Sequence, residues 1–170
     1  MKFRIEQNRD FILVGLNVEV AIDTVVKEFN DNVKKDASIV WQENAKVIEE
    51  MKQTASCKQY GLFSIAHDYN EERGTYHFML AVVKDESTAN LNDVEEIKLP
   101  NHTWIAFETT LKETDTVETV LPALYFEIYS DFLPSNKYEI CDNYSFEIWP
   151  QSNNENGQYT FETWMPVKAL

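Results

Sequence analysis

Two stretches near the C-terminus, Phe146-Glu147-Ile148-Trp149-Pro150 and Phe161-Glu162-Thr163-Trp164-Met165-Pro166, each set a carboxylate two residues before an indole and end at a proline. Both read as β-strands, in which alternate residues share a face. Glu147 and Trp149 then oppose Phe146 and Ile148, and Glu162 and Trp164 oppose Phe161, Thr163 and Met165. Paired side by side, the strands would offer one plain apolar wall and one face carrying two carboxylates among indole rings. That mixture suits a flat, greasy, positively charged ligand. A carboxylate in a dry aromatic cleft is costly unless a cation or hydrogen bonds stabilise it, and a ligand cation would do so. Glu162 is the leading candidate, the alternative being a strand carboxylate that faces water or pairs with a lysine. Glu147, if its strand lies beside that of Glu162, would titrate with it as a coupled pair; a solvated or structural Glu147 is the alternative. Trp104, Trp149 and Trp164 are candidate cleft walls, each a large flat face with one polar tip. Tyr60 and Tyr76 could line the opposite wall. For all five aromatics, packing in the core is the competing reading.

Other chemistries find little support. His67, His77 and His102 show no metal-ligand spacing, and Cys57 and Cys141 fit no zinc motif. Serine elbows, glycine-rich phosphate loops and Cys-His pairings are missing, so no catalytic residue, metal or cofactor is expected. With 15 basic against 29 acidic residues, the formal net charge of −14 repels nucleic-acid phosphates and anionic membranes. There is no helix-turn-helix signature, signal peptide or long apolar run, so the expectation is a cytoplasmic protein that binds neither nucleic acid nor membrane. The 170 residues, 44% hydrophobic and 13% aromatic, suffice for one domain with a real core.

The elements that would position these residues repeat. Phe11 to Val20 reads as a strand, with Asp23 able to cap a helix beginning Thr24-Val25-Val26. Trp41, Ala45, Ile48 and Met51 recur at helical spacing, predicting an amphipathic helix over Gln42 to Lys52. Tyr60 to Ala66 and Thr75 to Val83 form a hairpin. After a polar linker, Lys84 to Asp93, comes Glu95 to Leu111, a strand broken at Pro100-Asn101. Asp115 and Glu118 could form a capping box before a stripe from Val117 to Phe132, with Pro122 as a kink or first turn. Ser145 to Trp149 and Tyr159 to Val167 are a final hairpin. The order β-α-β-β occurs twice. It predicts an α+β fold of antiparallel sheets with helices on one side, and one domain of two pseudo-symmetric halves, about 1–84 and 94–170. A central ligand cleft would lie between the halves on the uncovered side.

This pattern resembles the gyrase-inhibitor-like (GyrI-like) effector-binding family, the ligand domain of AraC-type and MerR-type multidrug regulators that also occurs as a standalone protein. The resemblance rests on Leu99 to Phe107, Ile128 to Ser135, Phe146 to Pro150 and Phe161 to Val167, and more loosely on Val14-Gly15-Leu16, Tyr60-Gly61-Leu62 and Tyr76 to Val83. It implies a tandem β-α-β-β fold whose central cleft holds lipophilic cations between stacked aromatics and a buried acid, at a position matching Glu162. Glu108-Thr109-Thr110 departs from a common glycine, and Tyr125-Phe126 from a frequent tryptophan.

The leading functional reading is a standalone binding protein for lipophilic, cationic or aromatic small molecules, in sensing or sequestration. One alternative is a hydrolase of small electrophiles using Glu162 as base with Tyr60 or Tyr76 nearby. Another is a protein-interaction inhibitor with an unidentified partner.

Overall fold

The computed structural model describes residues 1–7, 11–22 and 33–170. Its strands are β1 (Lys2–Gln7), β2 (Ile12–Ala21), β3 (Val33–Lys34), β4 (Leu62–Asn70), β5 (Thr75–Val83), β6 (Glu95–Lys98), β7 (Thr103–Thr110), β8 (Tyr138–Ile140), β9 (Ser145–Trp149) and β10 (Thr160–Ala169). Its helices are α1 (Ala37–Glu43), α2 (Ala45–Gln53), α3 (Ala55–Tyr60) and α4 (Val117–Glu127). The helix expected after Asp23 lies outside the described residues.

All ten strands join one sheet in the order β1-β7-β10-β9-β4-β5-β2-β3, with β6 also on β2 and β8 also on β10. Every pairing is antiparallel except the short β2–β3 contact. The fold is therefore α+β, as the alternating patterns imply. The order is symmetric about the central β4–β9 pair: β4-β5-β2 runs outward one way and β9-β10-β7 the other. The leading strands cross over, since β1 pairs with β7 and β6 pairs with β2. Glu95 to Leu111 is thus not one interrupted strand. The chain leaves β2 at Pro100, which has no N–H to continue a ladder, and re-enters the sheet as β7.

The helices pack on one face in two groups. The helix predicted at Gln42 to Lys52 is mainly α2, with its first two residues ending α1, and α3 follows where no helix was predicted. Asp36 caps α1 through Ser38 N and Ile39 N, Asn44 separates α1 from α2, and the Thr54 hydroxyl accepts from Cys57 N to start α3. Val40, Ile48, Met51 and Cys57 pack on Leu16, Leu62, Leu80 and Val82. Gly61 ends α3 at φ 87°, where a Cβ would sit 2.7 Å from the Trp149 carbonyl oxygen, so α3 docks tightly on β9. In the second group α4 starts at Val117, where the predicted stripe begins, but its cap is Thr116 and not Asp115. Thr116 and Thr119 form its capping box, and Pro122 lies inside it. The chain continues through a π-helical turn, Ile128–Phe132. Leu124, Ile128 and Phe132 pack on Ile105, Phe107 and Met165.

The opposite face was expected to hold the open cleft, but a third apolar cluster of Leu13, Phe63, Phe146, Trp104 and Trp164 fills it. The Phe11 ring, at the start of β2, lies 6.5 Å from Trp164 on β10. In a flat sheet β2 and β10 would be about 19 Å apart, so the sheet curls over this face and closes it. Among the described residues no helix is long and apolar enough to cross a membrane.

Candidate functional site

The pairing of β9 with β10 decides the site. Glu162 lies opposite Ile148, Thr163 opposite Glu147, and Trp164 opposite Phe146. Directly opposed residues share a face, so the two glutamates point to opposite sides of the sheet. The predicted face with both carboxylates does not form, and neither does the coupled pair. A register differing by one residue would have produced it, because the side-chain period is two.

Glu147 faces the helices. It lies in a row across the sheet, Phe107, Thr163, Glu147, Ser64, Leu80, whose three central members are polar and buried. Glu147 is 9% exposed at the seam between the two helical groups. The Ser64 hydroxyl donates to Oε2 at 2.6 Å, and the Tyr125 hydroxyl, from α4, donates to Oε1 at 2.7 Å. Trp149 Nε1 in turn donates to Ser64 Oγ at 2.7 Å, and its ring stacks on Phe161 with centroids 4.6 Å apart. Among the described residues no lysine, arginine or histidine pairs with Glu147. Burial raises its pKa, and the bonds from Ser64 and Tyr125 oppose that only in part. Tyr125 is pushed well above the ordinary phenol value, first by burial and then by the Glu147 charge.

Two cavities open at the two ends of β9, lined by its terminal residues and not by Glu147 itself. At the Trp149 end, one of about 540 Å³ is lined by Trp41, Gln42, Leu62, Val117, Trp149 and Tyr159. At the Ser145 end, one of about 310 Å³ is lined by Tyr69, Tyr129, Tyr144, Met165, Glu71 and Asp142. Tyr69 stacks on Tyr76 with centroids 5.3 Å apart. Burial, then the neighbouring phenol, pushes Tyr76 up to about 12, and the charge of Glu147 reaches both rings. The irregularity in β4 between His67 and Asn70 turns Tyr69 to this side.

Glu162 is on the other face, and the cation it was expected to take from a ligand comes from the chain. Arg4 on β1 forms a two-pronged pair with it, Nη1–Oε1 at 2.5 Å and Nη2–Oε2 at 2.8 Å, while Trp164 Nε1 donates to Oε2 at 2.8 Å. The guanidinium lies 5.2 Å from the Trp164 ring centroid. Arg4 could not be foreseen as the partner, because β1 reaches β10 only across β7. A cavity of about 290 Å³ on this face is lined by Arg4, Tyr60, Ile148, Glu162 and Trp164. Tyr60 ends α3, not a strand as expected. Trp104, 1% exposed, packs against Phe146 in the third apolar cluster. Of the seven candidates, Glu147, Trp149 and Tyr76 thus come together on the helical face. Glu162, Trp164, Trp104 and Tyr60 lie on the other. The residues missed, Ser64, Thr163, Tyr69, Tyr125 and Tyr129, carry no local signal that separates them from other strand or helix positions.

The fold is thus a helical layer in two groups over one sheet, with a buried acid on the central strand β9 and aromatic cavities at that strand's ends. The family model of the GyrI-like small molecule binding domain matches residues 1–168, and the chain belongs to this family. The fold is shared with SAV2435, solved bound to tetraphenylphosphonium, at 19% identity and TM-score 0.69 over 99% of this chain and 94% of that one. A putative transcription regulation protein from Staphylococcus aureus Mu50 is similar at 16% identity and TM-score 0.68, over 99% of both chains. The C-terminal domain of EcmrR is similar at 15% identity and TM-score 0.56, over 99% of this chain and 98% of that one. No curated protein matches the chain in sequence.

Proposed function

We propose that this domain binds lipophilic cations and cationic aromatic molecules at the seam between α1–α3 and α4, in sensing or sequestration within the cytoplasm. The observation that carries this is Glu147, a buried carboxylate held by two hydroxyls with no cationic partner among the described residues, on a strand whose two ends line aromatic cavities. A ligand cation supplies the missing counter-charge, and Trp149, Tyr69, Tyr76 and Tyr129 supply stacking faces. That SAV2435, of the same fold, binds tetraphenylphosphonium supports the reading. For the alternative of hydrolysis by Glu162, Tyr60 shares a cavity with Glu162 and Tyr76 lies on the other side of the sheet, while the pairing of Glu162 with Arg4 disfavours it as a base.

The test is a titration with tetraphenylphosphonium followed by tryptophan fluorescence, Trp149 being hydrogen-bonded through Ser64 to Glu147. Glu147→Gln should weaken binding by about 10- to 100-fold, the worth of a bond to a charged group. Glu162→Gln should leave it within about twofold. Saturable binding lost in Glu162→Gln and kept in Glu147→Gln would reject the assignment.

A further inference from the structure

Beside Glu147 sits a polar atom whose hydrogen-bonding capacity the fold leaves unused. Thr163 is 0% exposed, and its Oγ1 has no hydrogen-bond partner among the described residues. It is the direct cross-strand neighbour of Glu147 on the helical face. In an antiparallel pair such neighbours have Cβ atoms about 5 Å apart. A buried hydroxyl without a partner is costly, and native interiors keep few of them. On the other flank of Glu147, Ser64 is fully engaged: it donates to the carboxylate and accepts from Trp149. Beside Glu147, whose Oε1 accepts from Tyr125 and Oε2 from Ser64, the Thr163 hydroxyl thus keeps its lone pairs and its proton unused.

Tetraphenylphosphonium and quaternary ammonium ions have a charge but no hydrogen to donate. A protonated amine has both. Resting on the reading of Glu147 as the counter-charge, we infer that the site discriminates among cations in favour of protonated amines, whose N–H bridges Glu147 and Thr163 Oγ1. Thr163 is the residue that sets this preference, since each Glu147 oxygen already accepts from a hydroxyl and the unused acceptor beside it is Thr163 Oγ1.

Calorimetric titrations compare a tricyclic arene bearing a dimethylaminopropyl arm with its N-methyl quaternary analogue, on the wild type, Thr163→Val and Thr163→Ser. The wild type should bind the amine about tenfold more tightly than the quaternary ion. Thr163→Val should bring the two within about twofold by weakening the amine alone, and Thr163→Ser, which keeps the hydroxyl, should retain the preference. Because valine matches threonine in shape and removes a partnerless hydroxyl, its melting temperature should equal or exceed the wild type's. Equal affinities in the wild type, or an equal loss for both ligands in Thr163→Val, would overturn the inference while leaving Glu147 as the counter-charge. If neither ligand binds the wild type, the Glu147 reading fails and this one with it.

Discussion

Replacing Glu147 by glutamine should leave the free protein at least as stable at neutral pH and flatten part of its pH dependence. The carboxylate is 9% exposed with no cation among the described residues beside it, and its pKa is raised first by burial. Hydrogen bonds from Ser64 and Tyr125 stabilise the ionised form, each by about 1.5–3 kcal/mol, without cancelling the desolvation. The folded pKa therefore lies above the unfolded value near 4.5. Between the two, the folded state holds a proton that the unfolded state has lost. Stability from this group is thus fully present below the unfolded pKa and falls as pH rises to the folded one, by at most about 1.4 kcal/mol per pH unit. Glutamine has no such slope. It can accept from Tyr125 through its oxygen and donate to Ser64 through its amide. Urea denaturation of both proteins from about pH 4 to pH 8 gives the comparison. The advantage of Glu147→Gln over wild type should grow with pH and then level off. Cation affinity of the wild type should rise over the same window, as the carboxylate ionises. A variant less stable than wild type by more than about 2 kcal/mol at every pH would refute the reasoning. It would mean that Glu147 is an ionised structural group whose loss breaks a buried network.

Three further outcomes follow from particular contacts. Tyr125→Phe removes one donor to Glu147, so the pH at which cation binding sets in should rise, and stability above that pH should fall by about 1–3 kcal/mol, read by the same titrations. Gly15→Ala would place a Cβ 1.9 Å from the Leu80 carbonyl oxygen on β5, so the sheet must separate locally; denaturation should show a loss of about 3 kcal/mol or more. Fragments 1–84 and 94–170 expressed separately should stay unfolded by circular dichroism and regain structure on mixing, because β1 and β6 each complete the other half's sheet.

Element types were legible where one periodicity dominated. Thr75 to Val83 alternates cleanly and is β5 with those bounds, and its Tyr76, Phe78, Leu80 and Val82 share one face, which the structure turns toward the helices. The stripe from Val117 to Phe132 survived Pro122, since neighbouring turns and packing on β7 and β10 hold the helix. Boundaries set by single capping side chains were harder. Asn44 breaks the predicted helix near its start, Thr54 begins a further helix where none was predicted, and Thr116, not Asp115, caps α4. The site was half legible. Alternation correctly grouped Glu147 with Trp149 and Glu162 with Trp164, each within its own strand. It carried no information on how one strand slides against the other.

The sequence by itself determined the elements, the repeat, the acidic surface and the presence of two carboxylate–indole strands, because these depend on local periodicity and composition. Only the tertiary structure decided which carboxylate pairs with an arginine of the chain and which is buried with hydroxyl partners alone among the described residues. The β9–β10 register put Glu162 on the face where Arg4 arrives from β1, 158 residues away in sequence, and put Glu147 under the helices beside Ser64, Tyr125 and Thr163. A shift of one residue in that register would have put both carboxylates on one face, since it turns every side chain of one strand to the other side relative to its neighbour.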